Sequence, residues 1–98
     1  FVNVRDVVQA NYKAALSHVS GAFNIASGTF ITINALAEKM RDVCGRSAVI
    51  EHAAPRKGDV RHSLADISAA SEAFGYAPAV GFDEGLSEYM AWAEQAGV

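Results

Sequence analysis

Phe1-Val2-Asn3-Val4 and Phe23-Asn24-Ile25-Ala26 are the two stretches on which the fold turns. Both are short, apolar and β-prone, and both are bounded by cap or turn residues, as strands are. Between them Val8, Tyr12, Ala15 and Leu16 recur at helical spacing. That spacing predicts a helix from about residue 6 to 17, with Asp6 as its N-cap and Gly21 as the breaker beyond it. A strand, a helix and a second strand in that order form the unit of a parallel sheet, whose strands are buried on both faces. Such strands need neighbours on either side, and this chain offers few.

Working outward, Thr32 is the next N-cap candidate, followed by an amphipathic stripe of Ile33, Leu36, Ala37, Met40, Val43 and Cys44 and closed by Gly45. Ala48-Val49-Ile50-Glu51 reads as a third strand. Residues 53–62 form a loop punctuated by Pro55 and Gly58. Asp66 caps a short helix carrying Ile67, Ala70 and Phe74, and Gly75 ends it. Beyond Pro78, the spacing of Phe82, Leu86, Tyr89 and Ala93 predicts a last helix from about 82 to 95. The expected class is α/β, with three to four short strands and about four helices in one unit spanning 1–98. No internal repeat or low-complexity segment is present.

Composition narrows the function. Hydrophobic residues make up 51% of the 98 and charged residues 19%, a balance that excludes a disordered tail. So small a chain buries a modest core, so part of that apolar share is expected to face a surface outside it. A net charge of −3 provides no field for nucleic acid or an anionic membrane. No apolar run approaches the roughly 20 residues of a membrane helix, and no signal peptide opens the chain. The single cysteine, Cys44, cannot form an internal disulfide and fits a reducing, cytoplasmic setting. Phe1 stands inside an expected strand without a methionine or polar lead-in, which points to a piece of a longer protein.

Chemistry is concentrated in one loop. Three of the eight basic residues, Arg56, Lys57 and Arg61, fall between 55 and 62, with Asp59 among them. An arginine after a proline can present its planar fork to a phosphate through two charge-assisted hydrogen bonds. An aspartate three residues on, beyond a glycine, can accept from ribose hydroxyls. The plain alternative is a solvated charged turn. His18, His52 and His62 lack metal-ligand spacing to Cys44 or to one another. Cys44 lies on the apolar stripe of its helix and is expected in the core. Tyr89 and Trp92 are expected to pack the last helix. No tyrosine has a lysine four residues on, and no glycine-rich phosphate loop is present, so no catalytic or dinucleotide-binding residue is assigned.

Taken in order, the segments carry a resemblance. Phe-Val-x-Val-x-Asp-Val-Val at 1–8, Phe-Asn-Ile-Ala-Ser-Gly at 23–28 and Thr-x-Asn-x-Leu-Ala at 32–37 are similar to successive segments of extended short-chain dehydrogenases/reductases, the NAD-dependent epimerase/dehydratase family. Pro-Arg-Lys-Gly-Asp-Val-Arg-His-Ser-Leu-Ala-Asp-Ile-Ser at 55–68 resembles the family's late nucleotide-binding segment. Phe-Gly-Tyr-x-Pro at 74–78 and Phe-Asp-Glu-Gly-Leu at 82–86 complete the pattern, which covers nearly the whole chain.

The resemblance implies the C-terminal, substrate-binding portion of an extended Rossmann-type enzyme, closest in pattern to UDP-hexose 4-epimerases. An N-terminal domain binding NAD or NADP would be absent from these residues. In that family hydride passes from sugar to nicotinamide, while a Tyr/Lys pair with Ser or Thr manages the proton. Those residues and the glycine loop are missing here, as is the arginine that usually lies just before the first strand; Arg5 is not its substitute. By the same resemblance, Arg56 matches the arginine that holds the diphosphate, Asp59 the acid near the ribose, and Phe1 a position lining the nucleotide pocket. Arg61 and His62 are weaker matches. The implied ligand is a nucleotide sugar, a UDP-sugar first. An alternative is a free-standing, non-catalytic binding or oligomerisation module derived from that family. In either case the unpaired strands are expected to associate copies into a homo-oligomer.

Overall fold

In the computed structural model, which describes residues 1–59 and 61–97, every regular element is a helix. The order is α1 (Val4–Leu16), α2 (Ile33–Cys44), α3 (Ser68–Phe74) and α4 (Phe82–Gln95). The loop expected at 53–62 includes residue 60, which lies outside the described residues, as does residue 98.

The α/β expectation is overturned: no strand occurs among the described residues. Each of the three stretches read as strands lacks a ladder partner, and a β-prone tetrad without one is only extended chain. At the first stretch the backbone turns straight into α1, with Asn3 as the N-cap: its Oδ1 accepts from the Arg5 backbone N–H at 2.9 Å. The second keeps a period of two, with Phe23 and Ile25 half-buried and Asn24 exposed, yet pairs with nothing. The third leaves Val49 exposed.

The ends of α2 follow their caps. Thr32 Oγ1 accepts from the Ala35 N–H at 3.1 Å, and Gly45 closes α2 with φ of 65°, a left-handed conformation that glycine adopts without cost. At α3 the N-cap is Ile67 and not Asp66, and Ile67 makes no side-chain capping bond; Asp66 Oδ1 instead accepts from both the backbone N–H and the hydroxyl of Ser68, at 2.9 and 2.7 Å, just ahead of the helix. Those hydrogen bonds hold the Asp66 carboxyl below its ordinary value of 3.8.

The core is small. Ala10, Ala70 and Tyr76 are buried, with Phe23, Ile25, Ile67 and Phe74 packed around them. Phe23 and Phe74 meet edge to face, their centroids 5.3 Å apart. The Tyr76 hydroxyl donates to the Ala26 carbonyl at 2.6 Å. Asp6 is 2% exposed and is not a cap: its Oδ1 accepts from Ala79 N–H at 2.9 Å and its Oδ2 from Val80 N–H at 3.3 Å. The chain therefore folds back on itself through two polar clamps, Tyr76 on residue 26 and Asp6 on residues 79–80.

Around that core the chain spreads as a slab of 50 × 33 × 19 Å with a radius of gyration of 16.3 Å, against about 13 Å for a compact chain of this length. The apolar stripe of α1 has the helical period but faces outward: Val8, Tyr12, Ala15 and Leu16 are all exposed, as is Val4, and the helix buries Asp6 and Ala10 instead. Cys44 is half-buried rather than a core residue, with its thiol donating to the Arg41 carbonyl. Tyr89 and Trp92 are exposed and pack on each other at 5.7 Å. α2 lies against α4, and Lys39 Nζ spans them to Asp83 Oδ1 at 2.6 Å.

Candidate functional site

A concavity of about 1400 Å³ opens between the start of α1, the segment 27–31, α2 and α4. Its walls are mainly apolar and aromatic, with Phe1, Phe30, Met40, Phe82 and Tyr89 among them and Lys39 at the edge. A concave apolar surface with a few polar groups is the usual form of a small-molecule site. The two clamps hold two of its walls. Tyr76 anchors residue 26, next to Ser27 and Thr29, and Asp6 anchors residues 79–80, which line the cavity themselves.

Along one side the start of α1 runs over α4. The Phe1 ring meets Phe82 edge-on with centroids 6.1 Å apart. Arg5 Nη2 contacts both carboxylate oxygens of Glu88, at 2.7 and 2.8 Å, with Glu84 at 3.6 Å. The Arg5 guanidinium is thus committed to α4.

Of the residues singled out in the sequence, Phe1 lines the cavity, whereas Arg56, Asp59 and Arg61 do not. The structure does bring Arg56 and Asp59 together, in a turn closed by the Asp59 N–H donating to the Arg56 carbonyl at 3.3 Å. Gly58 takes a φ of 87° there, which an L side chain adopts only with strain. The Arg56 Nε lies 3.4 Å from Asp59 Oδ2, with the arginine side chain 87% exposed. An ion pair this exposed contributes little to stability. What it does is hold the guanidinium at the tip of the loop, where its remaining donors face solvent. Arg61 and His62 are exposed on the same loop. His52, also exposed, has Nε2 2.8 Å from Asn34 Oδ1 at the start of α2.

The α4 wall of the cavity, Phe82, Gly85 and Tyr89, was not legible as a site. In the sequence Phe82 and Tyr89 read only as residues of the helical repeat, and the one odd signal is a glycine inside a helix. Among the described residues no group of His, Cys, Asp and Glu side chains is placed to hold a metal ion. No helix there is long and apolar enough to cross a membrane. The helices begin at Asn3, Thr32, Ile67 and Gly81, none of them at a glycine-rich turn after a strand, so these residues do not fit the pyrophosphate of a dinucleotide.

No family model matches the chain. Solved structures do. UDP-glucose 4-epimerase from Thermotoga maritima, solved with UDP-glucose, matches 99% of this chain with a TM-score of 0.92 and 34% identity. MoeE5, solved with UDP-glucuronic acid and NAD, matches 98% with a TM-score of 0.89 and 28% identity. UDP-N-acetylglucosamine 4-epimerase from Methanobrevibacter ruminantium M1, in complex with UDP-N-acetylmuramic acid, matches 95% with a TM-score of 0.88 and 34% identity. The chain spans 31%, 33% and 30% of those three proteins. Its resemblance to the epimerase/dehydratase family is therefore one of fold and sequence together, over about a third of such a protein.

Proposed function

We propose that this chain is the nucleotide-sugar-binding portion of an NAD-dependent sugar-nucleotide epimerase/dehydratase, of the UDP-hexose 4-epimerase kind. The observation that carries the reading is the 0.92 TM-score and 34% identity to an epimerase solved with UDP-glucose, across 99% of this chain. In this reading the chain is a C-terminal substrate-binding unit, and the dinucleotide and the catalytic Tyr/Lys pair belong to another part of a longer enzyme. Its own residues bind and orient. Arg56 holds the diphosphate with the donors that Asp59 leaves unused, Asp59 accepts from the ribose, Phe1 lines the nucleotide pocket, and Arg61 adds positive potential.

Calorimetric titration of the 98-residue chain with UDP and UDP-glucose tests this reading. Both are expected to bind, weakly, since one wall of a site gives only part of its affinity. Arg56→Ala is expected to lose about 1.5 kcal/mol, the worth of a charge-assisted hydrogen bond, or roughly tenfold in affinity. Equal binding by the native chain and the variant rejects the role of Arg56.

One observation favours a second reading, a free-standing module that assembles: Val4, Val8, Tyr12 and Leu16 form an exposed apolar line along α1. Copies that associate through that line sediment as a dimer or larger species, and Tyr12→Lys returns them to monomers. A monomer at high concentration by light scattering removes this reading.

A further inference from the structure

The contact between the start of α1 and α4 has a regular form. Phe1, Asn3 and Arg5, alternate residues, meet Phe82, Gly85 and Glu88, which recur every three residues along one face of α4. The outer two rungs are side-chain contacts. The middle rung is a close approach: a Cβ at Gly85 would lie 2.8 Å from Asn3 Nδ2 and 3.6 Å from Val80 Cγ1. No carbon sits that close to a nitrogen without something moving. Asn3 is poorly placed to move, because its Oδ1 caps Arg5 and its carbonyl accepts from the N–H groups of Asp6 and Val7 at 3.0 and 3.3 Å.

The backbone gives no reason for a glycine at this position. Gly85 is absent from the residues of positive φ and sits inside a regular helix, where glycine is a poor choice. The close approach is the reason the structure supplies. We propose that Gly85 is a positioning residue for the binding cavity: its missing side chain lets Asn3 seat on α4, and so sets Phe1 against Phe82 with its ring on the cavity wall, facing the flat base or ribose of a nucleotide. This inference rests on the reading of Phe1 as a nucleotide-facing residue.

A side chain at Gly85 lifts Asn3 and carries Phe1 off Phe82. UDP titrations of the native chain, Gly85→Ala and the double variant Asn3→Ser with Gly85→Ala test this. Serine keeps a capping oxygen while shortening the side chain that meets the new Cβ. The expected result is a loss of about tenfold in UDP affinity for Gly85→Ala, the scale of one aromatic contact, and recovery in the double variant. The upfield ring-current shift of the Phe1 ring protons against Phe82 disappears and returns in step. Native-like UDP affinity in Gly85→Ala overturns this inference alone. Failure of Asn3→Ser to restore binding also overturns it, since the defect is then in α4 itself. A native chain that binds no UDP overturns the site reading and this role with it.

Discussion

Tyr76→Ala is expected to leave the chain only marginally folded at 25 °C, while Tyr76→Phe stays well folded with a modestly lower urea midpoint. Tyr76 is the one large side chain that is fully buried among the described residues, and it sits between Ala10, Ala70 and the ring of partly buried apolar side chains. Truncating an aromatic in a close-packed core costs about 3–5 kcal/mol in lost transfer energy and cavity. Chains of this length have a total stability of about 5–15 kcal/mol, and a core this small places this one near the lower end. The phenylalanine variant keeps the ring and loses only the hydroxyl, which leaves the Ala26 carbonyl without its 2.6 Å donor at a cost of about 1–2 kcal/mol. Urea titrations followed by circular dichroism separate the two. A Tyr76→Ala midpoint equal to that of Tyr76→Phe would show that the ring is not the centre of the fold.

The same side chain gives the protein a limit in alkali. Burial first, and the charge of Asp6 second, push the Tyr76 phenol above its ordinary value of 10.0. The folded state therefore holds the phenolic proton more tightly than the unfolded chain does. That contribution to stability is complete below pH 10 and is lost as pH rises through the folded value. Tyr76→Phe removes the group that ionises, so its stability falls less steeply above pH 10 than that of the native chain.

Helices were legible in this sequence because their signals are local. Thr32 and Gly45 bracket α2, Gly75 follows α3, and each acts through a hydrogen bond or a φ angle within a few residues. Strands were not, because a strand is a relation between segments. Phe1–Val4 and Phe23–Ala26 have strand composition, but pairing depends on what lies alongside, and four residues carry no register. Faces failed for the same reason. The period of α1 was right, but the stripe of Val8, Tyr12, Ala15 and Leu16 faces away from the chain, and Ala10 is the contact that buries the helix. Of the candidate residues, resemblance points to Phe1, which lines the cavity, and residue chemistry to Arg56 and Asp59, which pair with each other away from it, while nothing in the sequence points to α4's share of the cavity. Gly85 was the available sign: a glycine inside a helix costs about 1 kcal/mol against alanine and asks for a reason.

Local logic makes Asp6 an N-cap, and the structure gives it a different role that sequence cannot show. An aspartate just ahead of an apolar repeat fits an N-cap, yet Asn3 takes that place and Asp6 is drawn inside to bind residues more than seventy positions away. A buried carboxylate is tolerable only when its oxygens are matched by donors, and here each takes one backbone N–H, from Ala79 and from Val80. Asp6→Ala strips both N–H groups of their acceptor in a place water reaches poorly, and is expected to cost about 2–4 kcal/mol. Asp6→Asn keeps one neutral acceptor and is expected to cost about half as much. The loss has an address. Residues 78–81 form one wall of the cavity, so the amides of Ala79 and Val80 in Asp6→Ala should exchange with deuterium far faster than those of α2, which the clamp does not touch. UDP affinity should fall with them, because Phe1 lies just ahead of the start of α1, which Asp6 ties down. Slow exchange at Ala79 in Asp6→Ala would mean that packing, not the carboxylate, holds that wall in place.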